Sequence, residues 1–150
     1  MALQGSQALH EEARAAGKRV LHDGRFAGYF PRLFAYALAL NGEEAPSREL
    51  AVTAFCETLI SRGFRDADFE VELFRRARQL AVRAARRGKG GDGLSPRERD
   101  VISLIFDAQL DRERTAQVTG LRPDAVVATL MDGLRKLRGR LGDAAVVGGG

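Results

Sequence analysis

The chain of 150 residues has no tryptophan, one cysteine, two histidines and four prolines. A single cysteine, Cys56, excludes a disulfide framework or a cysteine-based metal site within one chain. It follows Phe55 in an apolar stretch, a setting that suits a small buried thiol and lacks the electropositive surroundings of a reactive one. His10 and His22 have no partner ligands nearby in the sequence, so neither is assigned a metal. No apolar run approaches the roughly 20 residues of a spanning helix, and the N-terminus lacks the apolar core of a secretory signal. The expectation is a cytoplasmic chain with no membrane partner.

Catalytic patterns are missing as well. There is no recognisable set of nucleophile, base and orienting group. Gly90-Gly91-Asp92-Gly93 is glycine-rich, but it lacks the lysine-serine ending and the preceding strand of a phosphate-binding loop. The chain is expected not to be an enzyme, to carry no cofactor and to take no small-molecule substrate.

What is present points to helices. Hydrophobic residues make up 45% of the chain, enough for packed cores, and charged residues 29%. Alanine, leucine and arginine dominate, which favours helix over sheet. The net charge is +4 and nearly all of the basic residues are arginine, a mild footprint for polyanions.

Residues 1–23 are polar and alanine-rich and read as a flexible or helical arm. From Arg25 onward Phe26, Tyr29, Phe30, Leu33, Phe34, Ala37 and Leu40 recur at helical spacing, a stripe expected to pack in a core. Asn41-Gly42 should stop this helix, since both residues tolerate a left-handed cap. A second helix is predicted from Ser47 as N-cap through Leu50, Ala51, Ala54, Phe55, Thr58 and Leu59 to Gly63. A third runs from about Asp68 to Arg87. It turns Phe69, Leu73, Ala77, Leu80, Ala81 and Ala84 inward, with Arg75, Arg76, Arg78, Arg83, Arg86 and Arg87 on the opposite face.

The glycine-rich stretch 88–93 then reads as a linker between two units, 24–87 and 94–141. Ser95, Pro96 and Glu98 form the pattern of a complete capping box, followed by a buried stripe of Val101, Ile102, Leu104 and Ile105. A short helix over Asp111–Val118, a turn at Thr119-Gly120-Leu121 and a last helix from Pro123 make a helix-turn-helix. Val126, Val127, Leu130, Leu134 and Leu137 should face inward from that helix, and residues 142–150 read as a disordered tail. The fold expected is all-α, with two small helical domains.

Three motifs in order carry a family resemblance. Phe69-Glu70-Val71-Glu72-Leu73-Phe74-Arg75-Arg76-Ala77-Arg78-Gln79-Leu80-Ala81, with the cluster Arg86-Arg87 beyond it, resembles the end of region 2 in sigma-70 family factors of the extracytoplasmic-function group. Ser47-Arg48-Glu49-Leu50-Ala51-Val52-Thr53-Ala54-Phe55 resembles the polymerase-clamp segment upstream. Leu94-Ser95-Pro96-Arg97-Glu98-Arg99-Asp100-Val101 resembles the opening of region 4, with Ala116, Gly120-Leu121 and Leu134-Arg135-Lys136-Leu137-Arg138 in place after it. The resemblance covers about residues 25–140.

It implies core RNA polymerase and promoter DNA as partners. Glu49, Leu50, Val52 and Thr53 would face polymerase, while Arg75, Arg78, Arg83, Arg86, Arg87, Arg122, Thr129, Arg135 and Lys136 would contact DNA. The sequence also departs from the family pattern. Val52 and Thr53 replace an acidic and amide pair, Glu72 replaces a tryptophan, and Arg83 replaces an aspartate. The recognition helix reads Ala125-Val126-Val127-Ala128-Thr129 after Pro123-Asp124, and its aliphatic residues offer no donors to base edges.

Three functions stay open on the sequence. One is a divergent sigma factor. Another is a sigma-like interaction module that binds an anti-sigma factor or another transcription regulator. The third is a LuxR-like DNA-binding regulator in which only the second unit matters, since the Leu-Ser-Pro-Arg-Glu start opens those domains too.

Overall fold

The structure, a computed structural model, describes residues 24–62, 66–84 and 93–148, with side chains over 26–61, 69–84 and 93–141. Six helices lie in these segments: α1 Gly24–Asn41, α2 Glu44–Arg62, α3 Asp66–Ala84, α4 Pro96–Phe106, α5 Arg112–Thr119 and α6 Pro123–Gly148. No strand occurs among the described residues, and the chain is all-α. The N-terminal arm, residues 88–92 of the linker, and Arg86 and Arg87 lie outside the described residues.

Helices α1, α2 and α3 pack pairwise on one another. The aromatic stripe of α1 behaves as its spacing predicts. Phe26, Tyr29, Phe30 and Phe34 lie against a core of Leu33, Ala37, Phe55, Phe69, Leu73 and Phe74. Phe55 meets Phe26 and Phe69 edge-on with ring centroids 5.2 and 5.5 Å apart, the arrangement that the ring quadrupole favours. Helix α1 ends where Gly42 adopts a left-handed conformation (φ +76°) and donates its amide to the Leu38 carbonyl at 2.8 Å.

The start of α2 differs from the sequence reading. Ser47 is not an N-cap; it is buried inside α2, where its hydroxyl donates to the Glu43 carbonyl at 2.6 Å. The helix begins earlier, at Glu44, because Pro46 falls in the first turn, where a missing amide breaks no helical bond. Glu44 in that same turn also complements the positive end of the helix dipole.

The capping box of α4 forms in full: the Glu98 amide donates to Ser95 Oγ at 3.1 Å and the Ser95 amide to Glu98 Oε1 at 2.8 Å. Asp111 caps α5 by accepting from the Arg114 amide at 2.8 Å. At the other end Gly120, with φ +77°, turns the chain toward α6. Helix α6 continues through Gly148, past the boundary near 141 and into the stretch 142–150 that was expected to be disordered. Each residue added to an existing helix closes one more hydrogen bond, and Asp143-Ala144-Ala145 contains nothing that breaks the ladder.

Val101, Ala116 and Val126, flanked by Ile105, Leu121 and Leu130, hold α4, α5 and α6 together. Leu104, Ala108, Leu110 and Val118 point the other way and join the core of α1–α3. Helices α4 and α5 are therefore sandwiched, with α6 behind them and α1 and α3 in front.

Candidate nucleic-acid and partner-binding surfaces

Where α4 and α5 meet α1 and α3, the seam contains two buried carboxylates. Asp100 of α4 accepts the Tyr36 hydroxyl at 2.7 Å and Arg78 Nε at 2.5 Å. Burial, reinforced by the charge of Asp100, pushes the Tyr36 phenol well above its ordinary value. Glu70 of α3 accepts Arg32 Nη2 from α1 and Arg114 Nη1 from α5, each at 2.9 Å. Arg32 also donates to the Ala108 carbonyl at 3.2 Å, and its guanidinium lies 5.2 Å from the Tyr29 ring centroid. Arg75 reaches the Gln117 carbonyl at 2.8 Å while pairing with Glu72. Desolvating charges costs free energy that ion pairing only partly repays, and the removal of one partner strands the other.

This seam reorganises the basic face of α3. Arg78 faces α4, Arg75 faces α5, and Arg76 faces α2, with Glu57 at 3.5 Å. Of the arginines expected on that face and described, Arg83 alone is exposed without an ion pair, in the last turn, where it complements the helix dipole.

The residues assigned to polymerase divide. Leu50 belongs to the core, Thr53 is half-buried, and Glu49 and Val52 are exposed on α2. Those assigned to DNA on the helix-turn-helix divide too. Arg122 is exposed with Asp124 at 4.0 Å, and Arg135 is exposed with Asp132 at 3.5 Å. Thr129 is half-buried. Lys136 turns back onto Glu98 at 2.8 Å. That ammonium, with the Ser95 amide, holds the Glu98 carboxyl below its ordinary range. Val127, expected to face inward, is 39% exposed.

Sequence reading missed the seam. Tyr36 falls at helical spacing from Leu33 and Leu40, and Glu70 from Phe74 and Ala77, so each polar group sits on an otherwise apolar face. That placement is the signal that could have found them. Cys56 is buried and its thiol is raised by burial, which suppresses thiolate chemistry. Among the described residues no cluster of histidine, cysteine and acidic side chains could hold a metal ion, and no helix is long and apolar enough to cross a membrane. Comparison with protein-family models, curated proteins and solved structures finds no match.

Proposed function

We propose that this chain is a sigma-like regulator of transcription initiation that acts in the cytoplasm by binding a protein, an anti-sigma factor or another transcription regulator, and not by catalysis. Helices α1–α3 correspond in this reading to a region 2-like unit, and α4–α6 to a region 4-like helix-turn-helix beyond the linker at 88–93. The observation that carries the choice of protein contact over promoter reading is the fate of the α3 arginines. Arg75 and Arg78, which would track phosphates, hydrogen-bond to Gln117 and Asp100 instead. The exposed Val127 on α6 points the same way, since an aliphatic side chain has nothing to offer a base edge apart from a thymine methyl.

A divergent promoter-directing sigma factor is the second reading. Glu49 and Val52, exposed on α2, Arg122, exposed in the turn before α6, and Arg135, exposed on α6, favour it. Co-purification of the tagged full chain with core RNA polymerase, followed by promoter binding, separates the two. The interaction module predicts that polymerase is not retained, that another protein is, and that Val127→Lys with Thr129→Arg creates no promoter binding. Retention of core polymerase with promoter-specific binding overturns it in favour of the sigma factor.

A further inference from the structure

Helix α6 is far longer than its supports. Its 26 residues extend about 39 Å, whereas the 11 of α4 and the 8 of α5 extend about 16 and 12 Å. Among the described residues α6 touches only these two helices. It runs antiparallel to α4, since Lys136 reaches Glu98 in the first turn of α4 while Gly133 lies against Ile102 a turn later. Beyond Leu137 the helix therefore passes the start of α4.

Gly133 fixes how α6 is rotated. A Cβ at this position would come within 2.6 Å of Ile102 Cδ1 and 3.4 Å of Glu98 Cβ, so Gly133 faces α4. With Gly133 and Val126 against α4, the helical repeat turns Val127, Met131, Leu134 and Leu141 into one stripe beside the contact. Met131 is 49% and Leu141 71% exposed, both high for large apolar side chains. Arg138 continues the line of the stripe and Arg135 lies along its outer edge. From Gly133 to Leu141 the helix carries Arg135, Lys136, Arg138 and Arg140 and no acidic residue.

We infer that this stripe docks an amphipathic helix of a partner protein, with the partner's aliphatic face on Val127, Met131 and Leu141 and its acidic flank on Arg135 and Arg138. The inference rests on the reading that the chain works through a protein, and it names where and by what chemistry. A second copy of α6 fits poorly. The helix carries four cations against three acids, and Asp124 and Asp132 already lie near Arg122 and Arg135, so two copies would bring surplus positive charge together. Duplex DNA would engage the arginines and leave Met131 and Leu141 in water.

The test uses the full chain and a synthetic helix with leucine along one face and glutamate on its flanks, compared with a twin bearing lysine on the flanks. Fluorescence anisotropy should show the glutamate helix binding at least about tenfold more tightly. Amide chemical-shift changes should concentrate between Val127 and Leu141. Met131→Glu with Leu141→Glu, both at exposed positions, should abolish binding while leaving the helical circular-dichroism spectrum intact. Arg135→Glu with Arg138→Glu should reverse the preference to the lysine twin.

Equal affinity for the twins, shifts elsewhere in the chain, or a dimer of the chain dissolved by Met131→Glu would each overturn the inference. Polymerase takes no part in this assay, so its outcome is independent of the co-purification. If a partner is co-purified and Met131→Glu leaves it bound, the docking surface is wrong and the interaction module stands.

Discussion

Asp100 illustrates how a single side chain can tie two parts of a molecule together. It is buried, yet both carboxylate oxygens are satisfied, one by the Tyr36 hydroxyl and the other by Arg78. Because the Tyr36 phenol is raised by burial and by its anionic neighbour, the folded protein favours the protonated form. The stabilisation this gives is fully present below the ordinary tyrosine value of about 10 and is lost as the pH rises through the higher folded value. An alkaline titration followed by circular dichroism should therefore show an unfolding step that Tyr36→Phe shifts or removes. The same variant at neutral pH should cost about 1 kcal/mol in urea denaturation, the ordinary worth of one buried hydrogen bond.

At the scale of helices, the termini were legible in the sequence where side chain and backbone rules agree. Ser95-Pro96-Arg97-Glu98 gave both the start of α4 and its capping bonds, and Asn41-Gly42 gave the end of α1. Ser47 misled because a good capping residue has no preference once Pro46, one position before it, can open the helix a turn earlier. The aromatic face of α1 was legible as core from its spacing alone. The α3 arginines were read as one basic face, since helical periodicity shows which residues share a side but not what packs there. Their partners lie 22 and 42 residues away in the chain, at Asp100 and Gln117. Tyr36 and Glu70, the other half of the seam, were visible only as polar interruptions of apolar stripes. Gly120 offers a direct check on the turn between α5 and α6. Its φ of +77° strains any residue with a Cβ, although the surrounding space is open, so Gly120→Ala should lower stability by about 1 kcal/mol in urea denaturation.

For the molecule as a whole, the seam determines whether α4–α6 stay on α1–α3. Apolar contacts of Leu104, Ala108, Leu110 and Val118 supply adhesion, and the two carboxylates add directional bonds. Neutralising both, as Asp100→Asn with Glu70→Gln, removes the charges that attract Arg32, Arg78 and Arg114 while preserving size. The expected outcome is an increase in radius of gyration by small-angle scattering with helix content retained. Freed arginines should also raise the variant's salt-sensitive affinity for non-specific duplex DNA above that of the parent chain, measurable by anisotropy at low salt. An unchanged radius together with unchanged DNA affinity would mean that the apolar contacts alone hold the seam.

Greasy surfaces can slide over one another with little change in energy, but a carboxylate held by donors from two helices has one comfortable position. Asp100, between α1 and α3, and Glu70, between α1 and α5, act as two dowels driven through the same joint. Two such points suppress both translation and rotation of one half against the other. The exposed edge of α2 at Glu49 and Val52 is thereby kept at a set span from the outward stripe of α6. A binder long enough to touch both would be measured by the molecule as by a ruler, and a binder of the wrong reach would be left holding one end.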